Sequence, residues 1–269
     1  MDTNNLLLVL VPIVVVWALA LRPLGETALR RWATRYGAPL DERTRPLLRR
    51  RIHVGRSIRA TGATVGILVS SLPALTGTRG SSFNIPIVQV AWLAAIAVGV
   101  LAAELAAGRR PAGSVRRASL EVRQVGDYVD RADIGIAGVA LAATGAGIVA
   151  ALITNAAADR VLAATVLVAV GATVLGFGLR AVPHRPLAGD ASVRAADEAL
   201  RSEGAHHIVG VAAALGFTGA AETWGATVAV FSAGAAIPFA LGHLVGLGIW
   251  WALVHDTVWR VRRHAAQPS

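Results

Sequence analysis

Seven long apolar runs constrain this chain more than anything else in it. They cover residues 6–21, 60–77, 85–108, 134–154, 161–179, 205–221 and 226–254. About 17–25 apolar residues in a helix cross the ~30 Å hydrocarbon core of a bilayer. In hydrocarbon, backbone N–H and C=O groups must pair within their own segment. The runs lack the alternation of a barrel strand, so each is expected to be a helix. The expected fold is all-α: a polytopic transmembrane helix bundle of about seven spans. It forms a single integral membrane domain over residues 1–269, with residues 22–59 as a basic cytoplasmic segment. Composition agrees, since charged residues make up 16% of the chain against about 25% in soluble domains. The sixth run is the weakest, being Gly-rich and opening with His206 and His207; without it six spans would remain and the tail would lie outside.

The charges orient the bundle. All 26 basic residues are arginine, which with the Ala, Gly and Val bias reads as GC-rich bacterial coding. The segments joining runs one to two, three to four and five to six, with the tail, hold 24 of them. The opposite loops, TRGSSFN, NAAADR and ETWG, hold only Arg79 and Arg160. Positive charge is retained on the cytoplasmic side, so the N-terminus is expected outside and the C-terminus inside a bacterial cytoplasmic membrane. The same sorting assigns the net charge of +10 to topology and not to nucleic acid. A secretory signal carries its positive charge before the apolar run. Here MDTNN precedes it and Arg22, Arg30, Arg31 and Arg35 follow, so residues 6–21 read as a retained anchor. Trp224 in an outer loop, and Trp250 and Trp251 at the inner end of the last run, suit membrane interfaces.

The inner segments carry their own patterns. RTRPLLRRRIHVGRSIR at 43–59, with Arg49, Arg50, Arg51 and Arg56, reads as a face for anionic lipid or for a soluble partner, or simply as a topology signal. Ala118, Val122, Val125 and Val129 recur at helical spacing in 109–133, as do Val193, Ala196 and Leu200 in 184–204, suggesting short amphipathic helices. Both segments share Arg-Pro and Ser-Val-Arg, and IAGVALAATGAG at 136–147 aligns with IVGVAAALGFTG at 208–219. Such an internal repeat would give hairpins that start and end inside. Gly62 with Gly66, Gly242 with Gly246, and Gly135, Gly138, Gly145 and Gly147 are expected packing positions, because small residues let helices approach in lipid.

Ionisable groups within spans are costly and mark candidate sites. Glu104 lies near the inner end of the third run, as a snorkelling carboxylate or as a partner of His206 or His207. His243 lies near the middle of the seventh. Asp127, Asp130 and Asp133, at spacing three, resemble the Mg²⁺-binding acids of intramembrane prenyl- and phospho-transferases. The second acidic motif those families need is not matched by Asp190, Asp197 or Glu198. Acids before a helix also suit its N-terminal dipole. There is no cysteine, no Walker-type loop, no HExxH and no nucleophile elbow, so no catalytic residue, cofactor or metal is assigned.

With its Arg-rich inner loops, such as GRRPAGSVRRASL, and its Ala/Val/Gly spans, the chain resembles uncharacterised multi-span membrane proteins of high-GC actinobacteria. That resemblance implies no activity. The leading expectation is a membrane subunit of a transport system that docks a cytosolic ATPase or regulator. The alternatives are a small-solute carrier, a non-catalytic scaffold or regulator, and an intramembrane lipid-phosphate enzyme. Homo-oligomers through the glycine faces stay open.

Overall fold

A computed structural model of the chain describes residues 3–75, 85–107, 123–183, 191–231 and 248. Among them the structure is all-helical: α1 Thr3–Leu21, α2 Glu26–Tyr36, α3 Thr44–Leu75, α4 Ile85–Ala107, α5 Arg131–Ile153, α6 Ala158–Ala181 and α7 Ala191–Phe231, with a 3₁₀ turn at Val125–Asp127. Three of these, α5, α6 and α7, are long and apolar enough to cross a membrane; α1 and α2, bent by 77°, form a fourth candidate if taken as one broken span.

α7 is the axis of the fold. Its 41 residues make a rod of about 60 Å, packed most extensively on α5 and α6 and then on α4. Ala140 meets Gly216, Thr144 meets Gly219 and Gly147 meets Thr223, so α5 and α7 run parallel. Gly178 meets Ile208 and Gly171 meets Leu215, so α6 runs antiparallel to both. A Cβ on Gly216 would sit 2.7 Å from Ala140 Cβ and 2.8 Å from the Ala140 carbonyl carbon. Thr144 Oγ1 donates to Gly216 O at 2.6 Å across this contact. Thr144 and Gly216 are also aligned positions of the two similar stretches, which therefore lie side by side. α3 and α4 form an antiparallel pair through Gly62 and Gly66, which abut Ala95, Gly99 and Trp92. α1 is fastened to α3 by Trp17 Nε1 donating to Thr64 Oγ1 at 3.0 Å.

The buried and exposed residues of α5 are inverted relative to a soluble helix. The face of α5 against α7 is Asp133, Ala137, Ala140, Thr144, Gly147 and Ala151, while Val139 and Ile153 are 68% and 75% exposed. α6 buries Leu167, Val174 and Leu179 together with Ala163, Ala164, Gly171 and Gly178, and exposes Leu162 and Phe177. Small residues inside and large aliphatics outside are what helices packed in lipid need, because lipid supplies no hydrophobic drive and association rests on close contact. Charges bracket this region. On α7, residues 204–221 carry no Asp, Glu or Arg, and on α6 neither do residues 161–179. Eighteen or nineteen helical residues span about 27–28 Å, close to the thickness of a hydrocarbon core. At one end lie Arg160 and Glu222; at the other lie Arg22, Arg59, Glu104, Asp133, Arg180 and Glu203. Every described arginine except Arg160 is at or beyond this second end.

Several expectations are corrected. ETWG, expected as an outer loop, lies inside α7, so runs six and seven are not separated there, and Trp224 is a helical residue whose Nε1 donates to Ala143 O at 3.1 Å. The sixth run, weakest by sequence, is the most buried of the three spanning helices, because its Gly and Ala face protein on several sides. The basic segment 22–59 is built largely as helix, comprising α2 and the first half of α3. The stripe of Val193, Ala196 and Leu200 opens α7 and is not a separate helix. Val125 and Val129 belong to a 3₁₀ turn and its exit, while Ala118 lies outside the described residues. Gly135, Gly138 and Gly145 face open space; only Gly147 of that set is a packing position. Gly242, Gly246, His243, Trp250, Trp251 and the basic tail lie outside the described residues.

Candidate functional site

At the arginine-rich end a small head is built below the bundle. Asp41 starts α3 with a reciprocal cap: its Oδ1 accepts from Thr44 N at 2.7 Å and from Arg43 N at 2.9 Å, and its own N–H donates to Thr44 Oγ1 at 3.0 Å. The bond from the Thr44 backbone, first among these, holds the Asp41 carboxyl below its ordinary pKa. α2 ends at Gly37, whose φ of 64° is the left-handed C-cap conformation glycine adopts without strain. Between these caps, Leu29 of α2, Leu48 and Ile52 of α3 and Ala196 of α7 form a second apolar core, flanked by Leu24, Trp32, Leu40 and Leu200. Glu26, at the start of α2, holds Arg49 at 2.9 Å, Arg30 at 3.3 Å and Arg45 at 3.6 Å.

Residues 197–206 of α7 divide this end into two clefts. The first, of about 490 Å³, lies among α3, α4 and α7 and is lined by Arg50, Arg51, Arg59, Glu104, Asp197 and Glu203. Glu104 is buried and rests against Gly204, where a side chain would collide with its carboxylate. Glu203 faces Arg59, Arg56 and Glu104. The second cleft, of about 680 Å³, lies between the end of α2, residues 124–131 and α7. Asp127, Asp130, Glu198, Ser202 and His206 line it, with both tyrosines of the chain, Tyr36 and Tyr128. Ser202 Oγ donates to Tyr128 O at 3.0 Å and Arg123 pairs with Glu198 at 3.0 Å, fixing the turn to α7. Burial first, and then the Glu198 carboxylate beside it, push the Tyr128 hydroxyl up to about 12.

The sequence candidates are thus sorted. Glu104 lines the first cleft and His206 the second. His206 and His207 each hold Nδ1 against the carbonyl one turn back, Ser202 O at 2.7 Å and Glu203 O at 2.8 Å. Asp127 Oδ2 accepts from Gln124 N at 2.8 Å, Asp130 caps α5 by accepting from Ala132 N at 3.0 Å, and Asp133 is buried within α5. Capping accounts for Asp127 and Asp130, and among the described residues these acids form no metal-holding group. Arg49, Arg50, Arg51 and Arg56 do not share one face: Arg49 is tied to Glu26, Arg51 lines the first cleft, Arg56 faces Glu203, and Arg50 is exposed at the cleft rim.

Two ion pairs of α7, besides that of Glu198 with Arg123, were not anticipated either. Arg201, 1% exposed, binds Asp197 Oδ2 at 2.9 Å through Nη2 and donates to Val182 O at 3.3 Å, locking α7 to the end of α6. The i, i+4 spacing of Asp197 and Arg201 was the available signal. At the far end Arg160 of α6 reaches the buried Glu222 of α7 at 3.6 Å, a pairing across 62 residues that local pattern cannot show. No protein-family model, no curated protein and no solved structure matches the chain.

Proposed function

We propose that this chain is a multi-pass protein of a bacterial cytoplasmic membrane with its arginine-rich head in the cytoplasm, and that it serves as a membrane subunit on which an acidic cytosolic partner docks. A transport system whose energy-supplying component is a separate chain fits this design, since the sequence carries no nucleotide-binding loop of its own. The bracketing charges support the placement, and the positive-inside bias supports the direction. The observation that carries the docking is the head itself. α3 continues as an unbroken helix past Arg59, so Arg50 and Arg43 stand roughly 13–24 Å beyond the charged plane at 1.5 Å per residue. The headgroup layer is only about 5–8 Å deep and charges are screened within about 8 Å. Arginines held that far out on a capped helix are placed for a protein and not for lipid.

The test is purification in mild detergent followed by mass spectrometry. The expected result is a stoichiometric cytosolic protein that is released by moderate salt and absent when Arg43 and Arg50 are both changed to Glu, with membrane levels unchanged. Purification without any partner, or retention of the partner by the charge-reversed variant, overturns the reading. A self-contained carrier is the second reading, favoured by the mixed-charge cleft at Arg59, Glu104 and Glu203; solute binding by the chain alone would support it.

A further inference from the structure

We propose that the second cleft, between the end of α2, residues 124–131 and α7, binds a primary alkylammonium ion beside Glu198 and the Tyr128 hydroxyl. The inference depends on neither the docking partner nor the membrane placement. At about 680 Å³ the cleft falls in the size range of small-molecule sites. Its charge sets it apart. The chain as a whole carries +10, and the first cleft is lined by as many arginines as acids. In the second, Asp127, Asp130 and Glu198 outnumber the lining Arg131 and the Arg123 that pairs with Glu198. The Asp127 carboxylate accepts from Gln124 N and, among the described residues, enters no ion pair.

The polar groups of the cleft call for a ligand that donates hydrogen bonds. His206 Nδ1 lies 2.7 Å from Ser202 O. A carbonyl only accepts, so Nδ1 carries the proton and the neutral ring presents Nε2 as an acceptor. Arg123 takes Oε1 of Glu198 at 3.0 Å, and the carboxylate has further lone pairs. The buried Tyr128 hydroxyl makes no well-formed hydrogen bond, although Glu198 lies beside it. A buried polar group in that state is costly, and an N–H brought to its oxygen relieves the cost. An ammonium supplies three donors and no acceptor. Burial divides the remaining walls. Tyr36, Tyr128, Val129 and Ala199 are buried and give the cleft an apolar floor for a short alkyl chain. Asp127 and Asp130 are exposed and stand at its mouth, where they draw a cation in.

Isothermal titration calorimetry of the full chain in detergent tests this, with n-butylammonium, tetramethylammonium and 1-butanol as probes. Butylammonium should bind saturably. Tetramethylammonium, charged but without N–H donors, and 1-butanol, the neutral counterpart, should each bind about tenfold more weakly or worse. Asp127→Asn/Asp130→Asn keeps both caps and should weaken butylammonium about fivefold. Tyr128→Phe keeps the ring and should weaken it by about the same factor. Glu42→Gln, at an exposed acid outside the cleft, should change nothing. Absence of saturable binding, equal binding of either other probe, or unweakened binding by either cleft variant overturns the site. Displacement of butylammonium by phosphatidylethanolamine in bicelles, but not by phosphatidylcholine, assigns the ammonium to a lipid headgroup; no displacement assigns it to a free amine.

Discussion

The bundle and the head are packed differently within one chain, the bundle alone adding a seam of small residues to its apolar core. In the head, Leu29, Leu48 and Ile52 point inward and Arg30, Arg31, Arg43 and Arg50 outward, the arrangement that removes apolar surface from water. In the bundle, Ala140, Thr144, Gly147, Gly216 and Gly219 are inside, while Val139, Ile153, Leu162 and Phe177 face out. There the fit of backbone to backbone accompanies an apolar core that includes Leu167, Val174, Ile208 and Leu215. α3 and α7 belong to both regions, so the change in packing falls partway along them, near Arg59 and Glu203. Each region should therefore fail to a different kind of damage.

The largest effect is expected where backbone meets backbone. Gly216→Ile puts a branched side chain against main-chain atoms of Ala140 and Leu141 that cannot step aside. It should cost more than about 3 kcal/mol and remove the monodisperse species seen by size-exclusion chromatography. Gly138→Ile, into open space on the same interface helix, should change the thermal midpoint in detergent within about 0.5 kcal/mol. Equal damage from both would mean that α5 does not present these two faces as described. Next is the head. Leu48→Ala empties a fully buried site and should cost roughly 2–5 kcal/mol. That loss should appear as faster hydrogen exchange in α2 and early proteolysis at Arg30 and Arg31, with α5 and α6 unaffected. Spread of the exchange into α6 would show that head and bundle unfold as one unit.

Sequence periodicity located the helices that are uniform in solvent and missed those that are not. α4, α5 and α6 fall within a few residues of the apolar runs that announce them, because each is apolar over nearly its whole length. The first half of α3 lies outside the apolar runs because it is Arg-rich, although arginine is a good helix former and the Asp41–Thr44 cap starts the helix well before the apolar run. α7 hid its continuity because Glu222 resembles the end of a span. Its charge is offset by Arg160 from another helix, which no local window contains. The candidate site was legible as composition and not as geometry. The arginine sorting was visible, but the division of Arg49, Arg50, Arg51 and Arg56 among different neighbours depends on how α2 and α7 pack on α3.

The finest test of the contrast is a single hydrogen bond. Thr144 Oγ1 is shared between its own helix, at Ala140 O 3.0 Å away, and Gly216 O across the interface at 2.6 Å. Thr144→Val keeps the shape and removes the donor. In water, loss of a buried donor leaves its acceptor dehydrated and costs about 1–3 kcal/mol. In lipid the separated helix has no water to return to, and its hydroxyl keeps the bond to its own backbone, so interhelical bonds average only about 0.6 kcal/mol with a ceiling near 1.7. Thr144→Val should therefore lower stability by well under 2 kcal/mol, less than Leu48→Ala, when unfolding is followed in mixed micelles. A loss of 3 kcal/mol or more would mean that water reaches the α5–α7 seam in the unfolded state, and would move the boundary between the two packing regimes upward along α7.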